Sequence, residues 1–341
     1  MSAMTETKKA RYVTEKTTMM LNWYANPYHT PLFVAKEKGW LLEEGIDLAV
    51  LEATNPSDVT EVVGSGRADL GLKAMIHILA AKDRGIDLTS FGTLLDEPPT
   101  GLIFKTSSNI KCIRDLIGKK IGYIGHFGKI MVDDLMKQAG IPEGEYTMVR
   151  VGMNVTDAIM RGEVDTGIGF TNFQRIELEE LTGEPVSMLR IDELDGLGCC
   201  CFCSIQFVAS DEYYLANKEK ITGFMRAMRR GMDFTIEYPD EAWTLMCKAN
   251  PRLRTPLYSK IYQRTLPYFS RDLANVPRDW NKVGDFCKHL NILETDFDQS
   301  SIWTNAHVPL TGKASVEPVT PGGILPKESS PYAAAAVPAA N

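Results

Sequence analysis

No run of lysines or arginines interrupts this 341-residue sequence, and its formal net charge is −7. A nucleic-acid surface built on a basic field is therefore excluded, and an anionic ligand would have to be held by local backbone geometry. No apolar stretch approaches the length that spans a bilayer, and residues 1–20 carry charges but no apolar core of the secretory kind. Nor are the cysteines spaced for a disulfide framework. Four of the seven crowd into five positions (Cys199, Cys200, Cys201 and Cys203), and Cys112, Cys247 and Cys287 are scattered. The expectation is a soluble, cytoplasmic protein with no nucleic-acid or membrane partner, whose cysteines are thiols in a reducing compartment.

What is present is the balance of a folded α/β protein, 44% hydrophobic and 24% charged, long enough for two lobes with separate cores. Strand and helix patterns alternate. They predict a strand at Thr17–Leu21, a helix at Pro31–Lys38, a strand at Ile46–Leu51 and a helix at Asp58–Val63 capped by Ser57. A strand at Ala68–Leu72 then feeds a helix at Ala74–Arg84. A second series, starting near Phe104, predicts strands at Lys120–Ile124, Tyr146–Val151 and Asp165–Gly169, with helices at Gly128–Gln138 and Val155–Met160. The same turn occurs twice, in Val63–Leu72 (GSGRADLGL) and Met160–Gly169 (RGEVDTGIG), which suggests two lobes of one design built on parallel-rich sheets. The expected division is a disordered leader at 1–15, a first lobe from 16–103 and 201–311, and a second lobe at 104–200. A disordered tail is expected at 312–341. The lobes would be joined by hinge strands near Gly101–Lys105 and Gly198–Ser204.

Four groups of residues can carry chemistry. Lys73 stands where strand becomes helix, with His77 four residues on; on one helix face the two would share a small ligand, and a helix N-terminus disfavours the lysine's charge. A solvated lysine beside a core-edge histidine is the plainer alternative. The loop Gly122–Lys129 (GYIGHFGK) precedes a helix, and its glycines at 125 and 128 would let backbone N–H groups approach a phosphate. It matches neither phosphate-loop fingerprint and can equally be an ordinary turn. If Cys199–Cys203 is extended, Cys199, Cys201 and Cys203 share one face and could hold zinc or iron; otherwise they are small buried apolar residues. Asn22 and Trp23 follow the first strand, where an open sheet binds ligands, and Trp23 would either stack on a flat ring or pack in the core.

These segments resemble the fungal hydroxymethylpyrimidine phosphate synthases of thiamine biosynthesis, over about Met19 to Ile292. The resemblance is carried by CCCFC at Cys199–Cys203, GLKAMIH at Gly71–His77, NPSDVTEVVGSG at Asn55–Gly66, LLDEP at Leu94–Pro98 and LNW at Leu21–Trp23. It implies a two-lobed fold like the type II periplasmic binding proteins, with an interlobe cleft. It further implies pyridoxal phosphate as the substrate, joined to Lys73 by a Schiff base, with atoms of His77 consumed in building the pyrimidine. The enzyme would then be a single-turnover synthase, transferase-like, dependent on iron and oxygen, and a homodimer. Cys199, Cys200, Cys201 and Cys203 would be the catalytic iron-linked element, with His77 a further candidate ligand. Gly125, His126, Phe127 and Gly128 would hold the phosphate, beside Asn22 and Trp23. The chain has His126 where the family pattern carries Glu. The alternative is a non-catalytic two-lobed binding protein for a pyrimidine or other small nutrient. A conventional pyridoxal-phosphate transaminase lacks an identifiable partner for the ring nitrogen here.

Overall fold

The computed structural model describes residues 15–309, apart from 56, 57, 97, 197 and 200. The expected leader and tail, the Ser57 cap and Cys200 lie outside the described residues. In chain order, β1 (Glu15–Met20) is followed by α1 (Thr30–Glu37), α2 (Trp40–Glu43), β2 (Ile46–Leu51), α3 (Val59–Gly64), β3 (Leu70–Ala74), α4 (Met75–Asp83) and β4 (Leu88–Leu95). The second series is β5 (Thr100–Lys105), β6 (Lys120–Tyr123), α5 (His126–Gln138), β7 (Thr147–Arg150), α6 (Val155–Met160), β8 (Thr166–Phe170), α7 (Gln174–Thr182), β9 (Val186–Arg190) and α8 (Ile191–Leu194). Then come β10 (Ile205–Ser210), α9 (Asp211–Ala216), α10 (Lys218–Glu237), α11 (Pro239–Ala249), α12 (Pro256–Thr265) and α13 (Pro277–His289).

Two five-stranded sheets result, in the orders β2-β1-β3-β10-β4 and β7-β6-β8-β5-β9. Both are mixed. β10 runs antiparallel to β3 and β4, and β5 runs antiparallel to β8 and β9. The chain leaves the first sheet after Leu95 and joins the second at Thr100, so Gly101–Lys105 is wholly a strand of the second lobe and not the crossing the sequence suggested. The return crossing runs from Ile191 to Ser204.

The repeated turn has one structural meaning in both lobes. Asp69, just before β3, accepts the backbone N–H of Thr18 at 2.7 Å; Asp165, just before β8, accepts that of Lys120 at 2.8 Å. Each carboxylate thus ties the start of one strand to its parallel neighbour, β3 to β1 and β8 to β6. β4 and β10 are buried at every position, and their buried polar residues are paired between the strands, Ser90 and Thr93 both donating to Oε1 of Gln206.

One core cluster joins the lobes around the site. It combines Val59 and Val63 of α3, Ile78 and Leu79 of α4 and Trp280 and Phe286 of α13 with Met131 and Leu135 of α5. Because α5 belongs to the second lobe, its first turn is held close to that of α4. Among the described residues no helix is long and apolar enough to cross a membrane.

Candidate active site

Lys73 is the fourth residue of β3, not part of a helix, and His77 is the third residue of α4. The expected helical pairing is therefore replaced by a strand-to-helix corner. The corner still keeps them close, for the positive charge of Lys73 acts on the imidazole. Lys73 is 2% exposed, and burial pulls its amine down to about 7, offset in part by the carboxylates of Asp58 and Glu61. His77 is held well below the ordinary imidazole range by burial, then by Lys73 and Arg84. Its ring sits 4.9 Å from that of Phe127, across the lobe junction, and among the described residues its nitrogens make no hydrogen bond.

The Cys199–Cys203 segment is not extended. Cys201–Cys203 forms a turn of 3₁₀ helix, so alternation does not line up three thiols on one face. Cys199 and Cys201 are buried with Phe202 in the shared core, and Cys203 acts on Lys73. The register fixes this placement: Gln206 lies opposite Lys73 and Ile205 opposite Ala74, while the N–H of Met75 donates to the carbonyl of Ser204 at 3.0 Å. Burial pushes the Cys203 thiol up to about 12, against a hydrogen bond with Thr100 and the charge of Lys73. Among the described residues, the only three metal-type donor atoms within 4.8 Å of one another are those of Asp134, Asp195 and His289, which include no cysteine. The described thiols, with His77, therefore do not fit a preformed iron site. Cys199→Ala and Cys201→Ala should each lower unfolding stability by about 1–2 kcal/mol because they open space in a packed core. Cys203→Ala, at the core's edge, should cost less, and thermal melts of the three variants would check this order.

The two glycines of the loop hold different places, one at the start of a helix and one in a close packing contact. Gly125 is the N-cap of α5, without a side-chain cap, and the first turn of that 13-residue helix holds no acidic residue. The N–H groups at that end suit a phosphate. Gly128 serves a different purpose: a Cβ there would stand 2.8 Å from Cδ1 of Ile168, so the missing side chain lets α5 lie on β8. His126 is exposed and Phe127 is partly buried.

Asn22 and Trp23 follow β1 as expected. The Trp23 indole Nε1–H is buried with no hydrogen-bond acceptor among the described residues. Asn22 is committed to Tyr28 and His29, each at 3.1 Å. Tyr28 stands with Asn22 and Trp23 in the segment just after β1, whereas Thr100, Asp58 and Glu61 carry no role by sequence position. The segment NPYH after LNW was the one visible signal for Tyr28; the others become neighbours of Lys73 and Cys203 only through folding.

The family model described as NMT1/THI5 like matches residues 26–242. The chain belongs to the NMT1/THI5 family. A Legionella pneumophila protein named 4-amino-5-hydroxymethyl-2-methylpyrimidine phosphate synthase is 57% identical over 304 residues, covering 89% of this chain and 96% of its own. An Aspergillus parasiticus protein of the same name is 48% identical over 305 residues, covering 87% and 89%. The NMT1/THI5 family is thus not confined to fungi, as the resemblance had suggested. In three dimensions the chain is similar to the periplasmic aliphatic sulphonate-binding protein SsuA of Escherichia coli, with a TM-score of 0.66 at 17% identity over 93% of this chain and 99% of that one. A Candida albicans protein described as having the generic periplasmic binding protein fold gives 0.64 at 16% identity over 88% and 98%. These likenesses establish the fold of this NMT1/THI5 chain: two-lobed, α/β and periplasmic-binding-protein-like.

Proposed function

We propose that this chain is an enzyme that forms 4-amino-5-hydroxymethyl-2-methylpyrimidine phosphate, the pyrimidine precursor of thiamine, from pyridoxal phosphate and atoms of its own His77. It would act once per chain. The observation that carries this reading is Lys73, a buried amine brought down to about 7 beside an imidazole with no hydrogen bond among the described residues. A passive binding site has no need of a lysine whose neutral form is available at neutral pH, whereas capture of an aldehyde requires it. The names of the relatives support the same reading.

The residues present suit pyridoxal phosphate. The uncapped start of α5 offers N–H groups of His126 and Phe127 to a phosphate, and Trp23 has a buried donor to spend on a ligand. Bound there, pyridoxal phosphate supplies an aldehyde carbon and an electron-poor ring. Lys73 acts as the amine nucleophile, and its depressed pKa lets it react without strong base. His77 stays neutral and is held against Phe127 at the junction of α4 and α5, where it can reach a ligand fixed at Lys73. Iron and dioxygen are co-reactants in this reading, and the described thiols are assigned no step. The chain would work as a homodimer in the cytoplasm, in keeping with the family and with six described cysteines that form no disulfide.

Incubation with pyridoxal phosphate, ferrous iron and air tests the reading, with the pyrimidine phosphate measured by mass spectrometry. The expected yield rises to at most one product per chain. Pyridoxal phosphate that binds but gives no pyrimidine would return the chain to the non-catalytic binding alternative.

A further inference from the structure

Beside the site runs a buried chain of hydrogen bonds that the proposed chemistry does not use. His29 is fully buried and Tyr28 is 4% exposed. The backbone N–H of Asn26 donates to Nδ1 of His29 at 3.2 Å. A backbone amide can only donate, so Nδ1 accepts and the neutral ring carries its proton on Nε2. Burial keeps the ring neutral, with a pKa brought down to about 3. Nε2–H then donates to Oδ1 of Asn22 at 3.1 Å, which orients that amide so that its Nδ2 donates to Oη of Tyr28, also at 3.1 Å.

Every link fixes the direction of the next. The Tyr28 oxygen receives the Asn22 amide's hydrogen bond and also faces the side-chain amide of Asn26, and among the described residues no hydrogen bond has its O–H as donor. Burial raises the phenol to about 12, so it remains a donor throughout the neutral range. β1 and β3 are parallel neighbours with Met20 opposite Gly71, so the segment that follows β1 and Lys73 near the end of β3 lie at the same end of the sheet, and the Cys203 thiol acts on both Tyr28 and Lys73.

We infer that Tyr28 donates a hydrogen bond to an oxygen of the substrate held at Lys73, and that Asn22 and His29 are positioning residues that set the direction of that donation. The identity of the substrate rests on the proposed function; the direction of the relay does not. An oxygen at the aldehyde end of the ligand is the acceptor, since the phosphate is taken up by the start of α5. Asn22 accordingly acts through Tyr28, and a hydroxyl that accepts one hydrogen bond is a stronger donor of the next.

The test measures the affinity of the full-length chain for pyridoxal phosphate and, separately, pyridoxal, by borohydride trapping at Lys73. Tyr28→Phe removes only the hydroxyl and should weaken both aldehydes equally, by about five- to tenfold. Asn22→Asp turns the amide into a second acceptor, so Tyr28 donates backward; it should produce a similar loss with the phenol intact. The double variant should lose no more than either single one. Thermal melts confirm that each variant is folded, and Asn22→Asp carries the test if Tyr28→Phe melts early. Wild-type affinity in Tyr28→Phe overturns the inference, as do additive losses in the double variant or a loss confined to pyridoxal phosphate. If the wild-type chain gives no adduct with either aldehyde, the proposed function fails and this inference with it.

Discussion

Lys73→Ala should abolish covalent capture of pyridoxal phosphate, and Lys73→Arg should do the same although it keeps the positive charge. An ordinary lysine at neutral pH is neutral in only about one molecule in three thousand. Lys73, brought down to about 7 by burial, is neutral in roughly half. The rate of borohydride-trapped adduct formation in the wild type should therefore climb with pH through about 7 and flatten about one unit above it. A rate that goes on climbing toward pH 10 would show an ordinary amine and remove the basis of the assignment.

The same burial has a stability sign. The folded-state pKa lies below the unfolded value near 10.5, so between about 7 and 10.5 the unfolded chain binds a proton that the folded chain does not. Stability from this group rises with pH across that window and is lowest at and below its lower edge. Lys73→Met, which keeps the volume without the charge, should be more stable than the wild type at neutral pH by about 2–5 kcal/mol. The difference should shrink as the pH approaches 10. Denaturant melts at pH 7 and pH 10 would show it.

His77→Asn should still bind pyridoxal phosphate with nearly wild-type affinity and yield no pyrimidine. Lys73 lies on β3, while His77 lies on α4 with its ring against Phe127, so the substitution leaves the amine and its strand in place. Mass spectrometry of the peptide Met75–Lys82 after turnover should show a changed mass at residue 77, in step with product. An unmodified His77 alongside stoichiometric product would refute self-consumption. His126→Glu is the control. That side chain is exposed and the phosphate is offered backbone N–H groups, so activity should be retained.

Much of the fold was legible in local pattern. The apolar alternation and turn residues marked β2 and α6 to the residue, and the other nine elements bounded from the sequence to within one or two. The twin turns before β3 and β8 were visible as sequence, and their aspartates perform the same task in both lobes. Site residues were legible where chemistry is crowded into a few positions, as in GLKAMIH and CCCFC. Two local conformations were misjudged. The four-residue spacing of Lys73 and His77 suited a helix, but β3 extends to Ala74 because it pairs with β10, a strand about 130 residues away in the chain. The cysteine run suited a strand, but Cys201–Cys203 is a helical turn on the return crossing, just before the chain enters β10.

The sequence alone determined the periodicities, the absence of a basic field and the identity of the reactive side chains, because these depend on composition and on neighbours close along the chain. Tertiary structure decided which of those side chains meet and in what state of charge. Lys73 owes its depressed pKa to burial, and α5 is brought over from the other lobe to set Phe127 against His77. The direction of the Tyr28 relay depends on one backbone amide, that of Asn26, whose aim no pattern of side chains records.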